Sequence, residues 1–356
     1  MASTDLTGPW SDFDGHEQVV VAYDAASGMQ AVIAVHSTAL GPALGGVRMS
    51  LYADRPEPAA AARHDALRLS RAMTYKNALA GLDHGGGKGV IFADPANKST
   101  AVLHAFGRLV SSLNGRYLTA GDVGMSVADM DIVGETCGWT TGRSPENGGV
   151  GDSGILTAVG VWQGMRAAAG QVWGTPELRG RRVGVVGAGK VGGRLIGHLI
   201  DEGATVYVVD PSAATLAGVL AKYPQVQVME STAGLLTEDL DVLSPNAMGG
   251  FLTLELAATL QVPLICGGAN NQLATPEVAG VLAARGVLYT PDFMVNCGGV
   301  IQVAEERTGC DLERARAKVM DVFTTTEKVL ARAQREGRTP VAAAEAQAED
   351  RIAGRN

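Results

Sequence analysis

The chain is 356 residues long and has a net charge of −8, with cysteines at positions 137, 266, 297 and 310. This length allows two domains and a large core, and the acidic charge argues against nucleic acid as a partner. No apolar run of about 18 residues could span a membrane, and the N-terminal residues lack a secretion signal, so we expect a cytoplasmic protein. The cysteines form no CxxC pair and no histidine lies at metal-ligand spacing, so we expect buried free thiols and no metal.

The first elements of the chain read as a hairpin and a helix. Residues 19–23 and 30–35 are strand-like and flank a turn at 24–28, which predicts a β-hairpin. The sequence GPALGG at 41–46 is compatible with a plain turn or with backbone amides that face a ligand. A helix is expected over 57–80, with Lys76 near its C-terminal end, where a lysine often interacts only with the helix dipole and solvent.

Lys88 lies in the run GGGKG at residues 85–89, which we read as a loop before an apolar strand at 90–92. The run resembles a phosphate-binding loop but lacks its spacing. Leu82 and Gly89 stand where a Walker motif requires glycine and serine or threonine. Lys88 therefore needs another explanation.

Asp122 follows a predicted helix over 100–113 and a predicted strand over 116–120. Carboxylates at strand ends often take part in chemistry, but a turn aspartate that bonds its own backbone is an equal alternative. Asp129 and Asp131 are expected to cap a helix that starts near residue 127. The glycine-rich residues 142–153 predict a change of domain, and a helix is expected after them.

Residues 183–210 have the signature of a dinucleotide-binding unit. A strand, a GxGxxG turn, an amphipathic helix and a second strand follow one another. Gly187 permits the tight turn, Gly189 lets a pyrophosphate approach the helix N-terminus, and Gly192 lets the helix pack on the strand. The cofactor-binding loop is predicted to comprise Gly187, Ala188, Gly189, Lys190, Val191 and Gly192.

Asp210 ends the second strand of this unit, where its carboxylate can bind the ribose hydroxyls of the cofactor. Its charge would repel a 2′-phosphate, and no arginine or lysine follows before Lys222. We therefore predict NAD rather than NADP.

Further strands are expected at 226–228, 240–244, 262–266 and 286–289, with helices between them, as in a doubly wound sheet. Asn246, Ala247 and Asn270 follow strand ends on the edge that binds ligands in such sheets, and we assign them and Ser153 to the cofactor. A long helix is expected from residue 301. The tail from residue 339 is expected to form a terminal helix that frays.

These elements predict an α/β protein with two domains. Residues 1–147, with a returning C-terminal helical segment over about 300–356, are expected to form an α/β domain for catalysis, substrate binding and oligomerisation. Residues 148–300 are expected to form the NAD-binding Rossmann domain, a doubly wound parallel sheet.

Six motifs are similar to those of the glutamate, leucine, phenylalanine and valine group of amino acid dehydrogenases, and the likeness covers about residues 16–332. They are GPALGG at 41–46, MTYKN at 73–77, GGGK at 85–88, GDVG at 121–124, GANNQ at 268–272 and NCGGV at 296–300. Within the group, HEQVV at 16–20 and RSPENGG at 143–149 resemble the actinobacterial valine dehydrogenases. Gly121 and Cys297 depart from residues that are common in the group.

The resemblance implies the reversible, NAD-dependent oxidative deamination of an L-amino acid to a 2-oxo acid and ammonia by a homo-oligomer. It also implies that Lys76 binds the substrate α-carboxylate, that Lys88 is the catalytic lysine and that Asp122 completes proton transfer. The chemistry agrees, because loss of a hydride leaves an imine that water attacks, which requires a base and a proton shuttle. Further substrate contacts are expected from the backbone amides of Gly45 and Gly46 and from Asn270.

The same resemblance implies an apolar substrate pocket, because glutamate dehydrogenases have a lysine in place of Leu44 and a serine in place of Val303. With Ala120 and Val300, these residues would surround a side chain and leave a second carboxylate unpaired. Valine or another branched-chain amino acid is therefore expected, with leucine or phenylalanine as alternatives. A catalytically silent NAD-binding sensor is the alternative from another class, and the intact lysines and Asp122 argue against it.

Overall fold

The computed structural model describes residues 13–354, and these form two compact units. The first unit comprises the residues up to Asp152, then Val300–Leu312 and the residues from Arg351. The second unit comprises Ser153–Gly299 and Glu313–Asp350. The first change of unit falls at the end of the glycine-rich segment 142–153.

The first unit is built on a mixed sheet in the order β1-β2-β4-β3-β5. β1 and β2 form the predicted antiparallel hairpin, β2 also runs antiparallel to β4, and β3 runs parallel to both β4 and β5. The elements are β1 Gln18–Asp24, β2 Met29–Ser37, β3 Ala43–Met49, α1 Pro58–Leu79, β4 Gly85–Ile91, α2 Thr100–Ser112, β5 Tyr117–Gly121 and α3 Val127–Thr136.

Each face of this sheet has its own apolar core, because successive strand residues point to opposite faces. On one face, Val32 and Val90 pack with Ala66 and Leu67 of α1. On the other face, Ile33 of β2 packs in a cluster with residues of α2 and α3. Even-numbered residues of β4, including Lys88, therefore point toward α1.

The glycine run at 85–89 is a strand and not the loop that the sequence suggested, and GPALGG likewise leads into β3. The reason is close packing of the backbone. A Cβ atom at Gly86 would lie 2.1 Å from the backbone nitrogen of Thr74, and one at Gly85 would lie 1.8 Å from the carbonyl oxygen of Ser37. Only glycine lets α1 and β2 approach β4 this closely.

Asp129 caps α3 as predicted, through a capping box with Ser126. The prediction that Asp131 also caps this helix is wrong. Asp131 instead accepts a hydrogen bond of 3.0 Å from the backbone nitrogen of Ser144 and so holds the segment that follows α3.

The second unit contains the predicted doubly wound sheet, whose strands are all parallel in the order β11-β10-β9-β6-β7-β8. Its elements from residue 154 are α4 Gly154–Trp173, β6 Arg182–Val186, α5 Gly192–Asp201, β7 Thr205–Val209, α6 Ala213–Lys222, β8 Gln227–Val228, α7 Thr232–Leu235, β9 Val242–Pro245, α8 Leu254–Thr259, β10 Leu264–Ile265, α9 Glu277–Ala284, β11 Leu288–Tyr289 and α10 Asp292–Val295.

The C-terminal part differs from the sequence prediction. The long helix expected from residue 301 is a short one, α11 Gly298–Ala304, followed by a 3₁₀ turn at Glu305–Arg307. The remaining helices are α12 Leu312–Met320, α13 Val322–Glu336 and α14 Pro340–Ile352. Residues 313–350 belong to the second unit, whereas the sequence grouped them with the first, because α13 packs along α4.

The prediction that the terminal helix frays is also wrong. Ala343, Ala344 and Ala348 of α14 are fully buried, and Asp350 forms a 2.8 Å ion pair with Arg332. The four cysteines, all within residues 13–354, form no disulfide, as expected, but Cys310 is partly exposed rather than buried. Across residues 13–354, no helix has the length and apolar character needed to cross a membrane.

Candidate active site

Lys88 and Asp122 meet in the first unit, although 34 positions separate them in the chain. Lys88 projects from the middle of β4 and is 5% exposed, and Asp122 follows the last residue of β5. The Lys88 Nζ atom lies 2.5 Å from Asp122 Oδ2. The pair places an amine next to a carboxylate. Lys88 is buried, whereas Asp122 is partly exposed to solvent.

Arg48 is a second cation on Asp122, and sequence reasoning missed it. Its Nε atom lies 3.2 Å from Asp122 Oδ2, and its Nη1 atom lies 2.7 Å from Asp65 Oδ2. Asp65 of α1 also accepts hydrogen bonds from the Tyr52 hydroxyl, at 2.7 Å, and from Arg68, at 3.2 Å. The signal in the sequence was strand alternation, since Arg48 lies four residues after Leu44 on the same face of β3.

The cations determine the charge of Asp122. Burial acts to raise its pKa, but the positive charges of Lys88 and Arg48 and hydrogen bonds from Lys88 and the Val123 backbone outweigh burial and hold the pKa well below 3.8. Burial acts to lower the pKa of Arg48, and the carboxylates of Asp122 and Asp65 raise it instead. Asp122 is therefore a carboxylate and Arg48 a guanidinium throughout the neutral and alkaline range.

Gly45 and Gly46 lie within β3 beside this pair, in register with Thr119 and Ala120 of β5. A Cβ atom at Gly46 would lie 2.9 Å from the Cβ of Asp122. Gly45 is buried, whereas Gly46 keeps partial exposure. The close approach of β3 to Asp122 thus depends on the absence of a side chain at Gly46.

Lys76 lies in the last turn of α1, half-buried, and two residues after Thr74, which contacts Gly86. The next residue, Asn77, is fully buried and was not predicted to matter. Its Nδ2 atom donates to the carbonyl oxygens of Leu44, at 3.1 Å, and Gly85, at 2.6 Å. Asn77 therefore ties the end of α1 to the first residues of β3 and β4.

The apolar residues of the predicted substrate pocket are buried in the first unit. Leu44, Ala120 and Val303 are 0%, 7% and 6% exposed, and Val300 is half-buried. Ala120 and Val303 come together at Gly142, where a Cβ atom would lie 3.8 Å from the Ala120 Cβ and 3.9 Å from the Val303 Cγ1.

Glu306 holds the segment that carries Gly142, and sequence reasoning did not identify it. Its carboxylate accepts hydrogen bonds from the backbone nitrogens of Gly142, at 2.8 Å, and Val150, at 3.0 Å. Burial raises the pKa of Glu306 despite these bonds. The side chain therefore fixes the loop that lies against Ala120 and Val303.

The glycine turn of the second unit has the form that the sequence predicted. Gly187 has a φ of +93°, which only glycine adopts readily, and a Cβ atom at Gly192 would lie 2.0 Å from the Gly187 carbonyl oxygen. A Cβ at Gly189 would meet no described atom within 4 Å. Gly189 and Lys190 are exposed just before α5, between Ala188 and Val191. The turn thus leaves open space at a helix N-terminus, where phosphates bind.

Asp210 lies directly after β7 beside this turn. Its Oδ2 accepts a hydrogen bond of 2.8 Å from the backbone nitrogen of Ala188, and its Oδ1 accepts one of 2.9 Å from that of Ser212. Each carboxylate oxygen retains a further lone pair, and the side chain is partly exposed.

The remaining predicted cofactor residues lie at other strand ends of the second unit. Asn246 Oδ1 accepts a 2.8 Å hydrogen bond from the backbone nitrogen of Gly268, which joins two strand ends, and Ala247 is exposed next to the Gly187 turn. Asn270 is exposed and accepts a 2.8 Å bond from Asn296. Ser153 precedes α4 without capping it through its side chain.

Asp292 is a buried residue of this unit that the sequence did not mark. It accepts hydrogen bonds from the Asn271 backbone, at 2.7 Å, and from the Tyr289 hydroxyl, at 2.8 Å. Asn271 has a φ of +54°, so the carboxylate stabilises the turn that presents Asn270.

Comparisons with known proteins identify close relatives over the whole chain. Residues 16–138 match the model for the Glu/Leu/Phe/Val dehydrogenase dimerisation domain, and residues 213–355 match that for Glutamate/Leucine/Phenylalanine/Valine dehydrogenase. Valine dehydrogenase from Streptomyces virginiae is 55% identical over 344 residues, which are 96% of this chain and 95% of that protein. Leucine dehydrogenase from Geobacillus stearothermophilus is 43% identical over 338 residues, which are 95% of this chain and 90% of that protein.

A solved structure also matches. The crystal structure of L-tryptophan dehydrogenase from Nostoc punctiforme has a TM-score of 0.81 and 36% sequence identity, and the match covers 96% of this chain and 97% of that one.

Proposed function

Because the chain belongs to the glutamate/leucine/phenylalanine/valine dehydrogenase family and is an amino acid dehydrogenase, we propose that it deaminates valine and similar aliphatic L-amino acids with NAD. The observation that carries this proposal is the contact of 2.5 Å between the amine of Lys88 and the carboxylate of Asp122, in a buried setting beside apolar side chains. Oxidative deamination needs a base and a proton shuttle, and this pair offers both groups.

Lys88 is the proposed base. When its amine is neutral it takes a proton from the water that attacks the substrate imine, and Asp122 exchanges protons with the substrate nitrogen and with that water. Two cations keep Asp122 ionised in the resting enzyme, so it enters this exchange as the proton acceptor and orients the groups around it through hydrogen bonds. Lys76 and the backbone at Gly45 and Gly46 are the proposed partners of the substrate α-carboxylate.

The second unit fits a dinucleotide cofactor. The open side of Gly189 and the N-terminus of α5 suit a pyrophosphate, and the carboxylate of Asp210 suits the ribose hydroxyls and disfavours a 2′-phosphate. Asn246, Ala247, Asn270 and Ser153 are proposed as further cofactor contacts, and Asn270 also as a substrate contact. NAD supplies the acceptor for the hydride that leaves the substrate Cα.

The choice of valine rests on two supports. Leu44, Ala120, Val300 and Val303 are aliphatic, and a carboxylate placed against them would lose its hydration without gaining a partner. The Streptomyces virginiae relative, which is 55% identical, is a valine dehydrogenase, whereas the leucine dehydrogenase relative is 43% identical. Self-association is also proposed, since the first unit matches a model described as a dimerisation domain.

A substrate panel tests the proposal. The purified protein is assayed at alkaline pH with valine, leucine, isoleucine, phenylalanine and glutamate, each with NAD and with NADP, by the absorbance of the reduced cofactor. We expect the highest kcat/KM with aliphatic substrates and NAD, and no measurable turnover of glutamate. Preference for phenylalanine would replace valine as the substrate, and no turnover of any amino acid would overturn the proposed activity.

A further inference from the structure

Arg48 links the carboxylate of Asp122 to helix α1. One nitrogen of its guanidinium contacts Asp122 Oδ2 at 3.2 Å, and another contacts Asp65 Oδ2 at 2.7 Å. Asp65 is itself buried and is held by Tyr52 and Arg68. The guanidinium is therefore bound to a carboxylate on each side, and it connects Asp122 to α1.

Arg48 and Lys88 share one oxygen of Asp122, since both contact Oδ2. The guanidinium stays charged at every working pH, so Asp122 keeps this second partner throughout.

We propose that Arg48 is a positioning residue for proton transfer, which holds the carboxylate of Asp122 in place beside Lys88. This inference rests on the proposed function of the Lys88–Asp122 pair. The charged and titratable groups around the Lys88–Asp122 pair include Arg48 from β3, Asp65 and Arg68 from α1, Tyr52 after β3 and Tyr117 from β5.

The test compares Arg48→Gln and Arg48→Lys with the parent enzyme on its best amino acid and NAD. For Arg48→Gln we expect kcat to fall at least about tenfold, with the substrate KM and the NADH dissociation constant changed less than about threefold. Arg48→Lys should recover part of kcat, since it returns a charge that reaches only one carboxylate.

Arg68→Gln is the matched control. Arg68 contacts the same Asp65, but from a side chain that is 46% exposed, and it is not part of the Asp122 pair. Its kcat should stay within about twofold of the parent, by order of magnitude for an exposed ion pair. Asp65→Asn, which leaves Arg48 in place but removes its anchor, should lower kcat by a smaller factor than Arg48→Gln and leave the substrate KM within about threefold of the parent.

Two outcomes overturn the inference while the parent is active: an Arg48→Gln enzyme with the parent kcat, or an equal loss in Arg68→Gln. If Arg48→Gln does not fold, Asp65→Asn decides, and an unchanged kcat in that variant overturns the inference. A parent protein that turns over no amino acid would instead overturn the proposed function, so the two failures are distinguishable.

Discussion

Two lysine–aspartate pairs in the first unit have the same contact distance but different surroundings. Lys88 and Asp122 approach to 2.5 Å, and so do Lys98 and Asp129. Lys98 also donates to the carbonyl oxygen of Gly124, and Asp129 accepts from the backbone nitrogen and hydroxyl of Ser126. Lys98–Asp129 is thus built into the start of α3.

Lys88, by contrast, donates only to Asp122 among residues 13–354, so two of the three hydrogens of its ammonium group have no protein acceptor there. Asp122 is bound by two cations in addition to the backbone of Val123. The distance between two charges therefore does not identify a catalytic pair. What distinguishes Lys88–Asp122 is hydrogen-bonding capacity that the fold leaves unused.

The largest effect expected is on turnover in Lys88→Ala. Loss of the base should lower kcat by about 10²- to 10⁴-fold, the usual contribution of proton transfer, while NADH binding persists. Lys98→Ala removes an ion pair of equal length that has no proposed role in catalysis. Its kcat should therefore stay within about twofold of the parent. Steady-state kinetics and NADH fluorescence titration measure both. A Lys88→Ala enzyme with a tenth of parental turnover would place the base elsewhere.

Asp122 and Asp129 provide a second comparison between the two lysine–aspartate pairs. Asp122→Asn should lower kcat by about 10- to 100-fold, because an amide cannot shuttle a proton. Asp129→Asn should leave kcat unchanged and reduce the free energy of unfolding by about 1 kcal/mol, the usual contribution of a helix cap. Kinetics and urea unfolding of both variants provide the check, and the comparison fails if the two variants show the same kinetic loss.

Much of this fold was predictable because its signals are local. The β1–β2 hairpin, α1 and the turn at Gly187 follow from alternation, helical periodicity and glycine chemistry within short windows. The strand that carries Lys88 was not predictable, because its glycines are required by close contacts with residues elsewhere in the chain, such as Thr74 in α1.

Residues of the candidate site also differ in whether a local sequence pattern reveals them. Lys88 and Asp122 were found through motifs, whereas Arg48 was missed because its partners lie 17 and 74 positions away, and strand alternation alone gives its face of β3 but not those partners. Glu306 was missed for the same reason, since its hydrogen-bond partner Gly142 lies 164 positions away.

Asp210 provides an intermediate case, because it bonds backbone nitrogens as Asp129 does and yet is proposed to bind ribose. Asp210→Asn keeps an acceptor for one of these bonds and removes the charge. We expect kcat/KM for NAD to fall about tenfold, the loss of one charged hydrogen bond, and the preference for NAD over NADP to shrink. An unchanged ratio of the two kcat/KM values would show that Asp210, like Asp129, serves the fold alone.

The smallest effect expected concerns pH. Burial acts to raise the pKa of Asp129, but hydrogen bonds from Lys98 and Ser126 outweigh it, so the folded pKa lies below 3.8. Its contribution to stability is therefore present above pH 3.8 and is lost as pH falls through the folded pKa. The difference of about 1 kcal/mol between parent and Asp129→Asn at pH 7 should shrink on acidification. Urea unfolding at a series of pH values tests this, and a difference that grows at low pH would contradict it.

The most direct test of the account is the turnover of Lys88→Arg. An arginine restores a positive charge beside Asp122 but cannot give up its proton, so it separates the role of a base from that of a fixed charge. Circular dichroism and NADH binding establish that the variant is folded before kcat is measured with valine and NAD. We predict that Lys88→Arg is as inactive as Lys88→Ala, at least about 10²-fold below the parent. Turnover within tenfold of the parent would show that Lys88 contributes only its charge and would contradict the account.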